Sequence, residues 1–293
     1  MSASQDKDNR PLAPGLYLVA TPIGNLEDIT LRALRVLRQA DRIACEDTRQ
    51  TQKLLNQFEI RTPTVSYHMH NEGSRTEELI AELKDGARIA VVSDAGTPGI
   101  ADPGGQIVAA ALAAGVDVFP IPGANAAISG LIASGLTTER FTFHGFLPAK
   151  AGQRKTALEE LARDDGTHIF YEAPHRILDT LADVEAVFGP EQHVVIAREL
   201  TKMHEEFLRG SAAGLRSQLA SRASVRGEIV LMLTPTPTEN TSEDKKSLAA
   251  EVSAVMKSEG ISEMDALKRV ARERGIGKSE AYRELQREQN RRR

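Results

Sequence analysis

Short apolar runs alternate with helical patterns along most of this chain, and this alternation limits the folds that it can adopt. Residues 88–92 give the strongest strand pattern, because a continuous apolar run rich in β-branched residues suits a sheet covered on both faces. Strands that alternate with helices indicate an α/β fold with largely parallel pairing. With 293 residues the chain is too short for eight strand–helix units plus its C-terminal helices, so we expect two open sheets and not a closed barrel.

The same patterns predict the position of each element. Strands are predicted at residues 16–20, 42–45, 88–92, 116–121, 141–146, 168–171, 193–197 and 228–233. Helices are predicted near residues 31–37, 48–58, 72–83, 106–114, 125–134, 154–163, 177–188 and 215–220. The helix at 106 has a well-marked start, because Asp102 can cap it and Pro103 needs no N–H partner there.

The sequence also predicts the domain organisation. We expect a disordered N-terminus over residues 1–13, a first α/β domain over 14–122 and a second over 123–234. Alternating prolines predict a linker over 235–246, because proline blocks both helical and ladder hydrogen bonds. Residues 247–293 are predicted to form a small helical module with helices over 248–257, 263–274 and 278–287, the last two joined by a turn that resembles a helix-turn-helix.

Composition and charge exclude several classes of protein. Apolar residues make up 41% and charged residues 27%, which is typical of a soluble globular chain. No apolar run approaches the roughly 20 residues that cross a bilayer, and the N-terminus lacks a secretory signal. The one cysteine, Cys45, rules out an internal disulfide framework and a Cys-rich zinc site. We therefore expect a cytoplasmic protein with no membrane partner and no bound metal.

Charge is distributed unevenly along the chain. The net charge is −4, which gives no overall sign of nucleic-acid binding. Residues 241–293, however, hold 13 Lys and Arg against 10 Asp and Glu, so the C-terminal module is weakly basic. It could anchor a nucleic acid electrostatically, or it could be a dimerisation or folding appendage with a solvated helical surface.

The loops that follow the strands hold the candidate chemistry. No Gly-x-Gly-x-x-Gly follows the first strand, which argues against a dinucleotide fold and against the common methyltransferase fold. Clusters of Gly, Pro and Asp follow three strands instead, at residues 21–25, 93–104 and 122–126. Each cluster alone is typical of a turn. Together they predict a ligand site, because ligands bind beyond the carboxyl ends of strands in open α/β sheets.

Seven short strings carry a resemblance to a known family. They read VATPIGNLEDIT at 19–30, EDTR at 46–49, HNE at 70–72, SDAGTPGIADP at 93–103, GFLP at 145–148, YEAPHR at 171–176 and RELTK at 198–202. In this order they resemble the tetrapyrrole-methylase superfamily of S-adenosylmethionine (SAM) methyltransferases, and within it the small-subunit ribosomal RNA 2′-O-ribose methyltransferase I family. The resemblance implies two α/β domains that hold SAM in the cleft between them.

The resemblance also implies which residues contact SAM. The first half of the chain is expected to supply Pro22, Ser93, Asp94, Ala95, Gly96, Ile100, Ala101, Asp102, Pro122, Gly123 and Ala124. The second half is expected to flank the adenine with Tyr171, Glu172, Ala173, Leu200, Glu228, Ile229 and Val230.

Methyl transfer to a ribose hydroxyl would benefit from a general base, because a neutral hydroxyl is a poor nucleophile. The candidates are polar residues in the matching strings, namely Asp47, His70, Glu72, Glu199 and Lys202. Histidine titrates nearest to neutral pH, which favours His70, but each candidate is also typical of a salt bridge or a helix cap. The residues predicted to hold RNA phosphates are Arg49, Arg176 and Arg198.

Three functions stay open at this point. The resemblance implies 2′-O-methylation of a cytidine near the decoding centre of 16S rRNA, within the 30S subunit, by a homodimer. The first alternative is a SAM-dependent enzyme that methylates a small tetrapyrrole. The second is a non-enzymatic RNA-binding protein of ribosome assembly, which would not bind SAM.

Overall fold

The computed structural model describes residues 11–235, 248–273, 281–282 and 285, and the chain divides into two compact units at residue 236. Residues 1–10 of the predicted disordered N-terminus lie outside the described residues. The predicted linker lies outside them except for Pro235.

Five parallel strands form the first sheet. They are β1 (Gly15–Val19), β2 (Arg42–Cys45), β3 (Thr64–Ser66), β4 (Arg88–Val92) and β5 (Val118–Ile121). Their spatial order is β3-β2-β4-β1-β5, and every neighbouring pair is parallel, as the sequence predicts. The apolar run of β4 lies at the centre of the sheet. The sequence pattern misses β3, because three residues are too few to show a period.

Helices cover both faces of this sheet. They are α1 (Leu31–Gln39), α2 (Thr48–Gln57), α3 (Glu72–Lys84) and α4 (Gly105–Ala113). Adjacent residues of β1 pack on opposite faces: Tyr17 shares a core with Leu37 of α1, and Leu16 shares another with Leu79 of α3. Two-sided burial explains why β4 is apolar from Ile89 to Val92 instead of alternating.

The start of α4 differs from the prediction. The N-cap is Gly104, with a φ of 143° that favours glycine, and it makes no side-chain capping hydrogen bond. The prediction that Asp102 caps this helix is wrong. The chain bends once more before the helix, where the Gly99 N–H donates to the Pro103 carbonyl, and this bend leaves Asp102 in the loop.

The second sheet also has five strands, but it is mostly antiparallel. The strands are β6 (Phe141–Phe146), β7 (Thr167–Glu172), β8 (His193–Arg198), β9 (Glu206–Ser211) and β10 (Ile229–Leu233). Their order is β6-β7-β10-β8-β9, and only the β6–β7 pair is parallel. The prediction of largely parallel pairing is therefore wrong for this sheet. The sequence pattern misses β9, because Glu206, Arg209 and Gly210 interrupt its apolar content.

Helices of the second half pack around this sheet. They are α5 (Ala126–Ser134), α6 (Ala151–Leu161), α7 (Ile177–Phe188) and α8 (Ala212–Ala220). On one face, Leu181 of α7 and Leu215 of α8 share a core with Leu231 of β10. On the other face, Leu131 of α5 packs with Val230. The two open sheets with helices confirm the predicted fold class.

The C-terminal unit contains α9 (Leu248–Glu259) and α10 (Glu263–Glu273), with residues 281, 282 and 285 also helical. Val252 and Leu267 belong to its own small core. The turn and most of the predicted helix over 278–287 lie outside the described residues. None of the helices in the part of the chain described is long and apolar enough to cross a membrane.

Candidate active site

The three Gly, Pro and Asp clusters meet at the carboxyl edge of the first sheet. Thr21 and Gly96 exchange two backbone hydrogen bonds, at 2.9 and 3.1 Å. The Thr97 hydroxyl donates to the Ala124 carbonyl at 3.2 Å, and the Asn125 amide donates to Thr97 Oγ1 at 3.3 Å. The clusters therefore form one connected wall, as their positions after parallel strands predict.

A cavity of about 470 Å³ lies between this wall and the second sheet, and we call it the inter-sheet cavity. This volume is within the range of about 300–1,000 Å³ that small-molecule sites occupy. Its lining residues are Ile23, Glu46, Asp94–Thr97, Ile100–Asp102, Ala126, Phe146, Tyr171–Pro174, Ala197, Leu200 and Gly227–Val230. Both halves of the chain contribute to it.

Most of the residues that the resemblance assigns to SAM line this cavity. They are Asp94, Ala95, Gly96, Ile100, Ala101, Asp102, Tyr171, Glu172, Ala173, Leu200, Glu228, Ile229 and Val230. The assigned residues that are not among the lining residues are Pro22, Ser93, Pro122, Gly123 and Ala124.

Those five residues belong to the wall of loops. Ser93 is buried, and its hydroxyl lies 3.3 Å from the carbonyl oxygens of both Ala95 and Gly96. Gly123 packs on Ala20 so closely that an added β-carbon would lie 2.8 Å from the Ala20 Cβ. Their direct role in binding stays a prediction, and their contacts shape the loops that line the cavity.

Sequence reasoning omits several lining residues from its site. Ile23, Glu46, Thr97, Phe146 and Pro174 lie within the matching strings, and that was the available signal. Ala126 lies in the predicted 122–126 cluster, whereas Ala197 and Gly227 carry no sequence signal, because only the fold brings them to the cavity.

Three carboxylates give one part of the cavity a negative potential. Burial raises the pKa of Glu46, and the nearby Asp94 and Asp102 raise it further. Burial also raises the pKa of Asp102, although a hydrogen bond from Ser93 opposes this. The three groups interact because they face the same space, and a cationic ligand would relieve their mutual repulsion.

A lysine clamp borders the opposite wall. The Lys202 ammonium donates to Glu199 at 2.8 Å and to Glu228 at 2.9 Å, and Glu199 also accepts from the Glu228 N–H at 3.0 Å. Hydrogen bonding to Lys202 lowers the pKa of Glu199. Burial lowers the pKa of Lys202, but the bonds to the two glutamates outweigh burial and the net shift is upward. Lys202 is therefore charged near neutral pH and is a poor base.

Strained backbone occurs at this cavity. Ala101, Glu199 and Thr201 have φ values of 62°, 53° and 66°, in the left-handed region that residues other than glycine avoid. Such conformations cost on the order of 1 kcal/mol or more each, and they persist only where surrounding contacts enforce them. Ala101 lines the cavity, while Glu199 and Thr201 flank its lining residue Leu200.

The remaining candidate bases lie outside the inter-sheet cavity. Asp47 caps α2, and its bond to the Arg49 side chain lowers its pKa to about 2, which leaves it a weak base. Glu72 accepts from the buried Tyr67 hydroxyl at 2.9 Å and faces the Gly104 N–H at 3.4 Å. His70 is exposed. None of these three lines the inter-sheet cavity.

The three candidate arginines differ in their contacts. The Arg49 side chain is 87% exposed and pairs with Asp47. Arg176 donates to the carbonyls of Leu147 and Pro148, and Arg198 donates to Glu206 and to two backbone carbonyls. Arg49 is thus the most accessible of the three.

Aromatic residues close the second-sheet side of the cavity. Phe146 is 58% exposed although it is a large apolar side chain, and its ring meets Tyr171 edge-on at 5.8 Å. Tyr171 is also packed edge-on against Phe143 at 4.8 Å. With Leu200 and Ile229 these rings offer an apolar surface to a flat ligand group. Within the described ranges, no cluster of three or more His, Cys, Asp or Glu is arranged to hold a metal ion.

Comparisons with known proteins show which family and which relatives this chain resembles. The chain matches the family model for "Tetrapyrrole (Corrin/Porphyrin) Methylases" over residues 15–216. It is 48% identical to the "Ribosomal RNA small subunit methyltransferase I" of Halalkalibacterium halodurans, over 96% of this chain and 98% of that protein. It is 47% identical to the protein of the same name from Synechocystis sp., over 91% of this chain and 95% of that protein.

Solved structures with lower identity share the fold. The uroporphyrin-III-C-methyltransferase from Thermus thermophilus is 20% identical with a TM-score of 0.54, over 76% of this chain and 96% of that one. A diphthine synthase is 17% identical with a TM-score of 0.57, over 75% of this chain and 90% of that one. At these identities the similarity shows the fold alone.

Proposed function

This chain belongs to the tetrapyrrole methylase family of methyltransferases, and on that premise we propose that it transfers a methyl group from SAM to the ribose 2′-hydroxyl of a cytidine in 16S rRNA. The observation that carries the proposal is the inter-sheet cavity, where Glu46, Asp94 and Asp102 converge beside an apolar wall. The relatives that match nearly the whole chain are named as methyltransferases of small-subunit ribosomal RNA, which supports RNA as the acceptor.

The lining residues suit SAM in both charge and shape. SAM carries a positive sulfonium and a positive ammonium group, and the carboxylates of Asp94 and Asp102 would stabilise them by Coulomb attraction. The apolar side chains of Leu200, Ile229 and Phe146 would cover the adenine. Gly96, with a φ of 85°, turns the backbone beside the cavity where a side chain would be strained.

Catalysis would depend mainly on placement. Bound SAM supplies a methyl carbon that is already strongly electrophilic. The loop wall and the lysine clamp would fix the ligand while the half-exposed Phe146 edge leaves an entrance for the acceptor. The exposed Arg49, three residues after the cavity residue Glu46, would contact an RNA phosphate.

We propose that residues 14–122 and 123–234 act as the two domains that enclose SAM, and that a cytoplasmic homodimer acts on the 30S subunit. The weakly basic C-terminal module would add electrostatic attraction for rRNA.

Labelled SAM tests the reaction directly. Purified protein is incubated with methyl-labelled SAM and either 30S particles or a porphyrinogen, and digested RNA is searched for 2′-O-methylcytidine. We expect label in 16S rRNA at that nucleotide. Label only in the porphyrinogen would support the small-tetrapyrrole alternative, and label in neither would reject both enzymes.

A binding experiment separates the non-enzymatic alternative. We expect calorimetry to detect SAM binding by the wild-type protein and about tenfold weaker binding by Asp94→Asn, since one carboxylate–cation contact is worth about 1.4 kcal/mol. The amide keeps the acceptor for the Asp47 N–H and removes only the charge. Asp117→Asn, at an exposed residue, is the matched control. No heat of binding in the wild type would support the RNA-binding alternative.

A further inference from the structure

Glu46 and His68 follow two neighbouring strands of the first sheet. Cys45 of β2 pairs with Ser66 of β3, and the Tyr67 N–H donates to the Cys45 carbonyl at 2.8 Å. The next residues therefore emerge side by side at the carboxyl edge of the sheet, where Glu46 lines the inter-sheet cavity.

The other acidic residues of the cavity are held by donors. Asp94 accepts from the Asp47 N–H at 3.1 Å, Glu228 from Lys202 at 2.9 Å and Glu172 from the Thr180 hydroxyl at 2.6 Å. Asp102 interacts with Ser93. Within the part of the chain that the structure describes, the Glu46 carboxylate has no hydrogen bond or ion pair, although it is only partly exposed.

An unbonded carboxylate holds a proton more tightly than a bonded one, because nothing stabilises its anion. Burial raises the pKa of Glu46, and Asp94 and Asp102 raise it further, as does Asp47 to a smaller extent. Glu46 is consequently a stronger base than Asp47, whose pKa is lowered to about 2 by its bonds to Arg49.

His68 is the residue with the opposite electrostatic effect on Glu46. Its Nδ1 is buried without a hydrogen-bond partner among the described residues, and a charged imidazole there lowers the pKa of Glu46. The Asn71 side chain accepts from the His68 N–H at 2.8 Å and donates to the Ser66 carbonyl at 3.2 Å, which fixes the turn. His68 thus limits how far the three aspartates raise the proton affinity of Glu46.

We infer that Glu46 is the proton acceptor for the attacking hydroxyl and that His68 is its positioning residue. This inference rests on the proposed methyl transfer. The hydroxyl oxygen forms the new bond to the methyl carbon, the carbon–sulfur bond breaks with its electron pair left on sulfur, and the hydroxyl proton passes to a Glu46 carboxylate oxygen. Glu46 then releases that proton to solvent, so the reaction yields an ether, a neutral thioether and one proton.

Single-turnover kinetics of Glu46→Gln test the inference. With SAM-loaded protein and 30S particles, we expect the methyl-transfer rate to fall by about 100-fold or more, the usual contribution of a general base. The wild-type rate should decline as pH falls through the pKa of Glu46, and this acid limb should be absent in the variant. Glu77→Gln, on the exposed surface of α3, is the matched control.

Two readouts do not depend on activity. Calorimetry should show that Glu46→Gln binds SAM within about threefold of wild type, less than 1 kcal/mol in binding free energy. The ¹³C carboxyl resonance of Glu46 in the ligand-free protein, assigned by its loss in the variant, should titrate above the ordinary glutamate range.

The outcomes are separable. A variant rate close to wild type overturns the inference, as does a SAM affinity that falls in step with the rate, because Glu46 would then bind the cation. If Glu46→Gln does not fold, Glu46→Asp and the carboxyl titration decide: retention of the acid limb with a reduced rate supports the inference. Failure of the wild type to label RNA instead rejects the proposed function.

His68→Gln tests the positioning role. Loss of the imidazole should raise the pKa of Glu46, which His68 lowers, and move the acid limb of the rate profile to higher pH, with SAM affinity unchanged. A rate loss without that movement would show a merely structural role for His68.

Discussion

Lys202 packs against Gly24 so closely that a β-carbon at position 24 would lie 2.4 Å from the Lys202 Cγ. The Lys202 ammonium holds Glu199 and Glu228, and Glu228 lines the inter-sheet cavity. The absence of a side chain at Gly24 is therefore what allows the lysine clamp to reach the cavity wall from this position.

Gly24→Ala should displace Lys202 and loosen Glu228. We expect SAM to bind about three- to tenfold more weakly, since roughly 1 kcal/mol of charge-assisted hydrogen bonding would be disturbed. Calorimetry measures the affinity. Gly73→Ala is the control, because a β-carbon at Gly73 meets nothing within 4 Å. Unchanged affinity in Gly24→Ala would show that the clamp does not support the ligand.

Asp102→Asn should stabilise the ligand-free protein near neutral pH. Burial raises the pKa of Asp102 in the folded chain, so the folded state binds this proton more tightly than the unfolded chain does. The ionised Asp102 carboxylate therefore lowers the free energy of unfolding at pH values above its folded pKa. This cost disappears as the pH falls below the pKa of an aspartate in the unfolded chain. We expect the variant to melt roughly 2–4 °C higher at neutral pH, with the difference shrinking in acid.

Thermal melting of both proteins across this pH range checks the sign. The exposed Asp117→Asn should leave the melting temperature nearly unchanged at every pH. A stability gain that grows toward acid pH would contradict the assigned cost of burying the Asp102 carboxylate.

Phe146→Ala should weaken SAM binding and leave the fold intact. The ring is 58% exposed, so little core packing is lost, but it lines the cavity beside Tyr171. We expect about a three- to tenfold loss of affinity, as for an aromatic contact of about 1 kcal/mol. Phe141→Ala, on the same strand but away from the cavity and 45% exposed, is the control. Equal effects of the two variants would remove Phe146 from the binding surface.

Substitutions of Arg49 and Arg176 should distinguish a residue that contacts RNA from a residue that stabilises the fold. Arg49→Ala should keep the melting temperature, raise KM for 30S particles and reduce the slope of log affinity against log salt by about one, as for one phosphate contact. Arg176→Ala should lower the melting temperature, because Arg176 holds the carbonyls of Leu147 and Pro148. A stable Arg176→Ala with weak RNA binding would reverse the assignment.

Local pattern predicted much of the fold but not the pairing of the second sheet. The predicted bounds of α7, Ile177–Phe188, and of β4 agree with the structure, because α7 has a long apolar period and β4 has an unbroken apolar run from Ile89 to Val92. The direction in which β10 pairs with β7 and β8 depends on where intervening helices return the chain. The sequence of residues 228–233 does not by itself indicate that direction.

The sequence likewise predicted one part of the candidate site and not the rest. The matching strings located the loop wall, since its glycines, prolines and aspartates are close together in the chain. They did not single out Glu46, because its proton affinity depends on residues distant in sequence: Asp94 and Asp102 raise its pKa, and none of the described residues donates a hydrogen bond to it. Asp47, one residue later, is a weaker base because the Arg49 side chain donates hydrogen bonds to it. The sequence alone does not distinguish such a paired carboxylate from an unpaired one.

The central place of β10 sets the order in which this protein can assemble. β10 is the fifth strand of its sheet to leave the ribosome, yet it fits between β7 and β8 and joins them only by its own ladders. Until Ile229–Leu233 has been synthesised, β7 and β8 lack the strand that pairs with both of them. The inter-sheet cavity also lacks its lining residues Ile229 and Val230. Completion of the second sheet is thus a long-range event of the kind that slows folding, and the inter-sheet cavity is complete only once β10 has paired with both neighbours.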